Sequence, residues 1–152
     1  MTTLADATLD ARHQGASCDS SPLPPAARCA EVLDGLVGVG SPVRFACLGT
    51  ADGRLVAAPG ATAAGQRNAA MSSSLIALCE SFAREALKSA CTHSMVVTEH
   101  GTIVSVRVPD SRRAHVLAVG ADASCTAALV LRTALDTATA VARILDPAHA
   151  AS

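Results

Sequence analysis

Aromatic side chains are almost missing from this chain, which has no tryptophan, no tyrosine and only two phenylalanines, Phe45 and Phe82. Without a row of exposed rings there is no platform on which bases can stack, the usual means of holding single-stranded nucleic acid. An excess of one charge is missing too. Lys and Arg number 12 against 13 Asp and Glu, a formal net charge of -1, and the two signs are interspersed, so no basic stripe tracks a phosphate backbone. Long apolar runs are also lacking: a run such as Ala127 to Leu131 falls far below the roughly 20 residues of a spanning helix. These absences exclude nucleic acid as a partner and insertion into a membrane. Met1 to Asp19 carries three acids and no apolar stretch of the kind a secretory leader needs, so a cytoplasmic location is expected.

The cysteines lack metal-site or framework spacing. Cys18, Cys29, Cys47, Cys79, Cys91 and Cys125 contain no CxxC pair and no short Cys/His cluster, which argues against zinc and against a disulfide scaffold. Most lie in apolar periodic segments, where a reduced Cys is a small hydrophobe, and Cys18 is the one expected to be exposed. His13, His93, His100, His115 and His149 are scattered. Cys91 and His93 stand two apart with no third group to orient the ring, so a thiolate-imidazole pair is not expected there. Gly60-Ala61-Thr62-Ala63-Ala64-Gly65 echoes a phosphate loop, but Gln66-Arg67 follows in place of the Lys and Ser/Thr that hold phosphate and Mg²⁺. No metal, cofactor or catalytic residue is expected.

What the chain has in quantity is small and branched aliphatic residues. Half of its 152 residues are hydrophobic and 16% are charged, enough apolar surface for one folded domain. Residues 1–23, rich in Ser, Thr, Ala and Asp, read as a flexible tail, 24–147 as the domain, and 148–152 as a second short tail. Pro24 and Pro25 suit the first turn of a helix over about 25–38, with Cys29, Leu33 and Leu36 at helical spacing. Val43 to Leu48 alternates, Asp52-Gly53 supplies a turn, and Leu55 to Ala58 returns, which makes a hairpin. From about Asn68 to Ala90 the period changes to that of a helix, with Met71, Leu75, Leu78, Phe82 and Ala86 forming a large apolar stripe.

A second hairpin follows, Met95 to Thr98 and Ile103 to Val108 about His100-Gly101, and then a further strand over Ala114 to Val119. Ser124 is placed to cap a last helix to about Leu145, with Leu131, Leu135, Ala138, Ala142 and Leu145 on one face and Pro147 as its stop. The order α-β-β-α-β-β-β-α predicts an α/β (α+β) sandwich: one five-stranded antiparallel sheet, covered by helices on both faces.

This ordered set, from about Cys29 to Leu145, resembles a roadblock/dynein-light-chain domain. The parts that carry the resemblance are the hairpin Phe45-Ala46-Cys47-Leu48-Gly49-Thr50-Ala51-Asp52-Gly53-Arg54-Leu55-Val56-Ala57, the long middle helix, the strands Met95-Val96-Val97-Thr98-Glu99 and Ile103-Val104-Ser105-Val106, and the closing Ala/Leu/Arg-rich helix. They cover roughly three-quarters of the chain as a pattern rather than through one diagnostic motif. The resemblance implies a roadblock/profilin-like sandwich that joins a twin, or a paralogue, sheet edge to sheet edge with the middle helices packed together. It also implies a non-catalytic role beside a small Ras-like GTPase, since bacterial members act as GTPase-activating or scaffolding partners. The low aromatic count, the many cysteines and the N-terminal tail depart from the pattern.

Two features of the residues bear on that expectation. Beside the large stripe of the middle helix runs a line of small residues, Ala70, Ser74, Ala77 and Ser81, which is either a semi-polar solvent face or a surface that another helix approaches closely. The resemblance implies the second. Met95 to Thr98 lacks the Pro and Lys that protect a sheet edge, so Met95 and Val97 join the candidate dimer interface. Arg84 and Lys88, on the same helix, are solvated charges or contacts for a docked GTPase. Competing functions are a purely structural dimerisation subunit and a small-molecule sensor, the latter requiring convergent polar groups that the sequence does not display.

Overall fold

The computed structural model describes residues 22–60 and 63–148. Except for Pro22, Leu23 and Ala148, the two expected tails lie outside the described residues, and so does Cys18. The elements run α1 (Pro25–Asp34), β1 (Val43–Thr50), β2 (Leu55–Ala57), α2 (Ala63–Leu87), β3 (His93–Thr98), β4 (Gly101–Arg107), β5 (His115–Asp122) and α3 (Ala127–Leu145). The strands form one antiparallel sheet in the order β2-β1-β5-β4-β3. Three hairpins and one long-range pairing, β1 with β5, account for this sheet, and the five-stranded antiparallel sheet is the one expected from the element order.

Strand alternation divides the sheet into two unlike faces. On one, Ala46, Leu48, Val104, Val106, Leu117 and Val119 pack with Cys29 and Leu33 of α1 and with Val130, Ala134, Ala138, Val141 and Ala142 of α3. This is the main core, and it is aliphatic throughout. On the other face Cys47, Gly49, Ser105 and Ala118 present little bulk and α2 lies against them, while the Phe45 ring lies over Gly120. A Cβ added at Gly49 would stand 2.9 Å from the Cβ of Ala69, so the absence of a side chain there is what admits the helix.

The local signals act with some shifts of boundary. Pro25 opens α1, which ends at Asp34 rather than continuing to residue 38, because Leu36 and Val37 turn back onto Leu33 and Asp34. Gly53, at φ 87, closes the first hairpin, and a Cβ there would press on Ala70 of α2 at 3.1 Å. The helix expected from about Asn68 to Ala90 instead runs from Ala63 to Leu87. Glu99 and His100 form the second hairpin turn while Gly101 opens β4, and β5 continues through Gly120 and Ala121 to Asp122. Thr126, not Ser124, caps α3, its hydroxyl accepting from the amide of Leu129. Ser124 instead donates to Asp122.

The inner face of α1 is the expected one, Cys29 and Leu33, whereas α2 and part of α3 turn a different side to the sheet. The stripe Met71, Leu75, Leu78, Phe82 and Ala86 does not face the sheet: Met71, Leu78 and Phe82 are 70%, 68% and 71% exposed. The sheet-facing side of α2 is Gly65, Ala69, Ser72, Ser73 and Ile76. In α3 the buried line is Val130, Ala134, Thr137, Ala138, Val141 and Ala142, with Leu131 and Leu145 at its flank and Leu135 exposed.

Candidate interaction surface

The outward side of α2 is built from two adjacent lines at helical spacing. Ala70, Ser74, Ala77 and Ser81 are all exposed, as an interface line requires, and the large stripe runs beside them. Ser74 and Ser81 turn their hydroxyls inward, donating to the carbonyls of Ala70 at 2.9 Å and Ala77 at 3.0 Å. Covering this line therefore strands no hydroxyl, which removes the usual cost of burying a serine. The outward surface of α2 is thus a shallow groove of small residues beside a ridge of large exposed ones.

The two edges of the sheet differ. At β2, three residues long, the amide of Leu55 donates to Oε1 of Gln66 (3.1 Å) and Nε2 of Gln66 donates to the carbonyl of Gly53 (3.0 Å), so a side chain from α2 occupies the place of a neighbouring strand. β3 pairs with β4 on one side and with no strand among the described residues on the other. Val97 is 65% exposed there, whereas Met95 leans on the main core and is half-buried. Of the two candidate edge residues, Val97 thus offers its side chain and Met95 chiefly its backbone.

At the C-terminal end of α2 the surface is hollowed into an open cleft of about 510 Å³. Arg84, Lys88, Arg107 and Arg113 line it, together with Glu80 and Ser89. Helical spacing alone puts Arg84 beside Lys88; the convergence of Arg107 and Arg113 on them depends on the fold. Arg107 donates to both oxygens of Glu80, at 2.8 and 2.9 Å, with both side chains largely buried. Those hydrogen bonds, and the charges of Arg107, Arg113 and Arg84, hold the Glu80 carboxyl below its ordinary range, and Glu80 raises Arg107 in turn.

A second, smaller hollow of about 310 Å³ contains Asp110, Ser111 and His115. Asp110 is buried, accepts from the amide of Ala114 (3.1 Å) and shares a 2.7 Å contact with Nδ1 of His115. Its geometry fixes the β4–β5 turn. The Cys91 thiol donates to the carbonyl of His93 (3.1 Å) while the His93 ring contacts Thr92, so this pair is not assembled for nucleophilic chemistry. Cys29 and Cys47 are buried, and burial pushes the Cys47 thiol up to about 11, which keeps it protonated and inert at neutral pH. Cys79, Cys91 and Cys125 are half-buried. Among the described residues no group of three or more His, Cys, Asp or Glu is arranged to hold a metal ion, and no helix is long and apolar enough to cross a membrane.

No family model and no curated protein matches the chain in sequence. Solved structures do match it in shape. A roadblock/LC7 domain from Streptomyces avermitilis superposes with a TM-score of 0.67 at 19% identity, covering 76% of this chain and 96% of that one. Myxococcus xanthus MglB does so at 0.67 and 15% identity, covering 82% and 92%. The gliding protein MglB from Thermus thermophilus gives 0.67 at 17% identity, covering 82% and 93%. A further structure, described as MglB with a tetrameric arrangement, gives 0.68 at 19% identity over 82% and 92%. The fold of this chain is the roadblock fold.

Proposed function

We propose that this chain, built on the roadblock fold, is a non-catalytic module that dimerises and in that form regulates or scaffolds a small Ras-like GTPase. The observation that carries the reading is the outward face of α2, where Met71, Leu78 and Phe82 are each about 70% exposed beside a line of alanines and internally bonded serines. Burying such side chains against a twin stabilises by about 1–2 kcal/mol each. The unpaired β3 edge supports the same arrangement, since pairing it with a second copy extends the sheet and closes an edge otherwise open to aggregation. The partner class follows from the resemblance of the element pattern, with Arg84 and Lys88 on α2 as contact residues.

Light scattering tests the dimer, and capture of small GTPases loaded with GTP or GDP tests the partner. A monomer at micromolar concentration removes the first half, and failure to bind any such GTPase of the same cell removes the second. The tetrameric arrangement described for one MglB structure favours a second reading, a structural scaffold without effect on turnover. GTP hydrolysis measured with and without the protein separates the two: an altered rate marks a regulator, an unchanged rate a scaffold.

A further inference from the structure

The cleft at the end of α2 has a composition that packing alone does not require. Four cationic side chains, Arg84, Lys88, Arg107 and Arg113, surround it. Arg107 is paired with Glu80 from a mostly buried position. Lys88 meets Glu85 at 3.6 Å in a solvent-exposed pair, and Arg84 and Arg113 form no salt bridge among the described residues. Arg84 and Arg113 are exposed, and both stand near enough to Glu80 for their charges to add to the lowering of its carboxyl pKa that the Arg107 hydrogen bonds dominate.

The backbone adds an independent observation. Among the described residues two that are not glycine have positive φ, Lys88 at 51° and Arg113 at 49°, and both line this cleft. Lys88 follows the last residue of α2, the position at which helices commonly end in glycine, and the Ser89 amide reaches back to the carbonyl of Ala83 at 3.4 Å. Arg113 closes a turn onto the carbonyl of Asp110 at 3.1 Å. Side chains are disfavoured in this conformation, so glycine is the better choice for the backbone at both places. Each instead carries a cation, and from two separate segments the cations converge on one hollow.

We propose that this cleft is a binding site for a phosphoryl group. The guanidinium forks of Arg84 and Arg113 suit the paired oxygens of phosphate, Arg107 being engaged by Glu80, and Lys88 and the Ser89 hydroxyl supply further donors. The lining holds no aromatic ring on which a base could stack, so recognition falls on the phosphate itself. The site lies within one chain and does not rest on the GTPase reading.

Sodium pyrophosphate is the first probe, followed by O-phosphoserine and GDP at equal concentration, with NaCl at matched ionic strength as control. Pyrophosphate is expected to raise the melting temperature of the full chain by several degrees, and the probe held most tightly names the source of the phosphate. Lys88→Gly and Arg113→Gly should melt no lower than the parent, because each relieves a left-handed side chain, yet each should bind pyrophosphate about tenfold or more weakly. Arg84→Ala should weaken binding similarly. Loss of binding in variants whose fold is intact separates recognition from a role in ending the helix. Equal affinity in the parent and the glycine variants, a shift that NaCl reproduces, or no shift with any of the three probes overturns the proposal.

Discussion

Arg107 of β4 and Glu80 of α2 form a two-pronged ion pair, 2.8 and 2.9 Å, that ties the middle helix to the sheet from a mostly buried position. Because Arg107 holds the Glu80 carboxyl below its ordinary value of 4.5, the folded state binds this proton less readily than the unfolded chain. The contribution is therefore fully present above the unfolded pKa and is lost as pH falls through the lower folded one. Glu80→Gln should cost about 1–3 kcal/mol near neutral pH, since it leaves Arg107 half-paired. In urea titrations the gap between parent and variant should be constant from pH 8 to pH 6 and narrow below about pH 4.5. A gap of equal size at pH 3 and pH 7 contradicts the assignment.

The dimer face proposed on α2 is accessible to substitutions that spare the monomer. Leu78 is 68% exposed in the single chain, so Leu78→Asp should leave the far-ultraviolet circular dichroism unchanged. In the dimer the same carboxylate would be buried without a partner, a cost of several kcal/mol that shifts the equilibrium to monomer. Sedimentation at about 10 μM should show the mass fall to that of one chain. Val97→Lys, on the open edge of β3, should act in the same direction and more weakly, and a variant that stays dimeric at both positions places the interface elsewhere.

The order of elements, the five-stranded sheet and the first hairpin turn were legible because strand and helix periods differ and because Asp52-Gly53 is a local instruction, while the second turn lies one residue earlier than His100-Gly101. The orientation of α2 was not. Periodicity tells which residues share a face, not whether that face meets the sheet or a partner, and the rule that bulk goes inside misplaces Met71, Leu78 and Phe82. A signal was available in the strands: Cys47, Gly49, Ser105 and Ala118 leave room for a helix with a small face, as Ala69, Ser72 and Ser73 provide. The basic cleft was only half legible. Arg84 and Lys88 are neighbours on one helix, but Arg107 and Arg113 join them through strand pairing, and nothing local marks Lys88 or Arg113 as left-handed.

Ser94 and Ser105 sit opposite each other on β3 and β4, both buried, and neither hydroxyl has a hydrogen-bond partner among the described residues. A buried hydroxyl without a partner is a net cost of about 1–3 kcal/mol, and alanine removes the hydroxyl with little change of shape. Ser94→Ala with Ser105→Ala should therefore stabilise the chain by about 1 kcal/mol or more in chemical denaturation. Destabilisation of the double variant would show that the two hydroxyls are satisfied, either by each other or by a trapped water.

Gly101 opens β4 directly after the hairpin turn, at φ 154 and opposite Asp122 of β5. A Cβ at this position would lie 2.1 Å from the carbonyl oxygen of Ala121 and 2.9 Å from the Cα of Asp122, and these are backbone atoms that cannot swing aside. Gly101→Ala must therefore separate β4 from β5 or unpair the turn, at about 3 kcal/mol by combined overpacking and backbone strain. Gly38 is the internal control, because a Cβ there meets nothing within 4 Å. Gly38→Ala should alter the unfolding midpoint little, whereas Gly101→Ala should lower it by many degrees and increase hydrogen exchange first in β3, whose only strand neighbour among the described residues is β4.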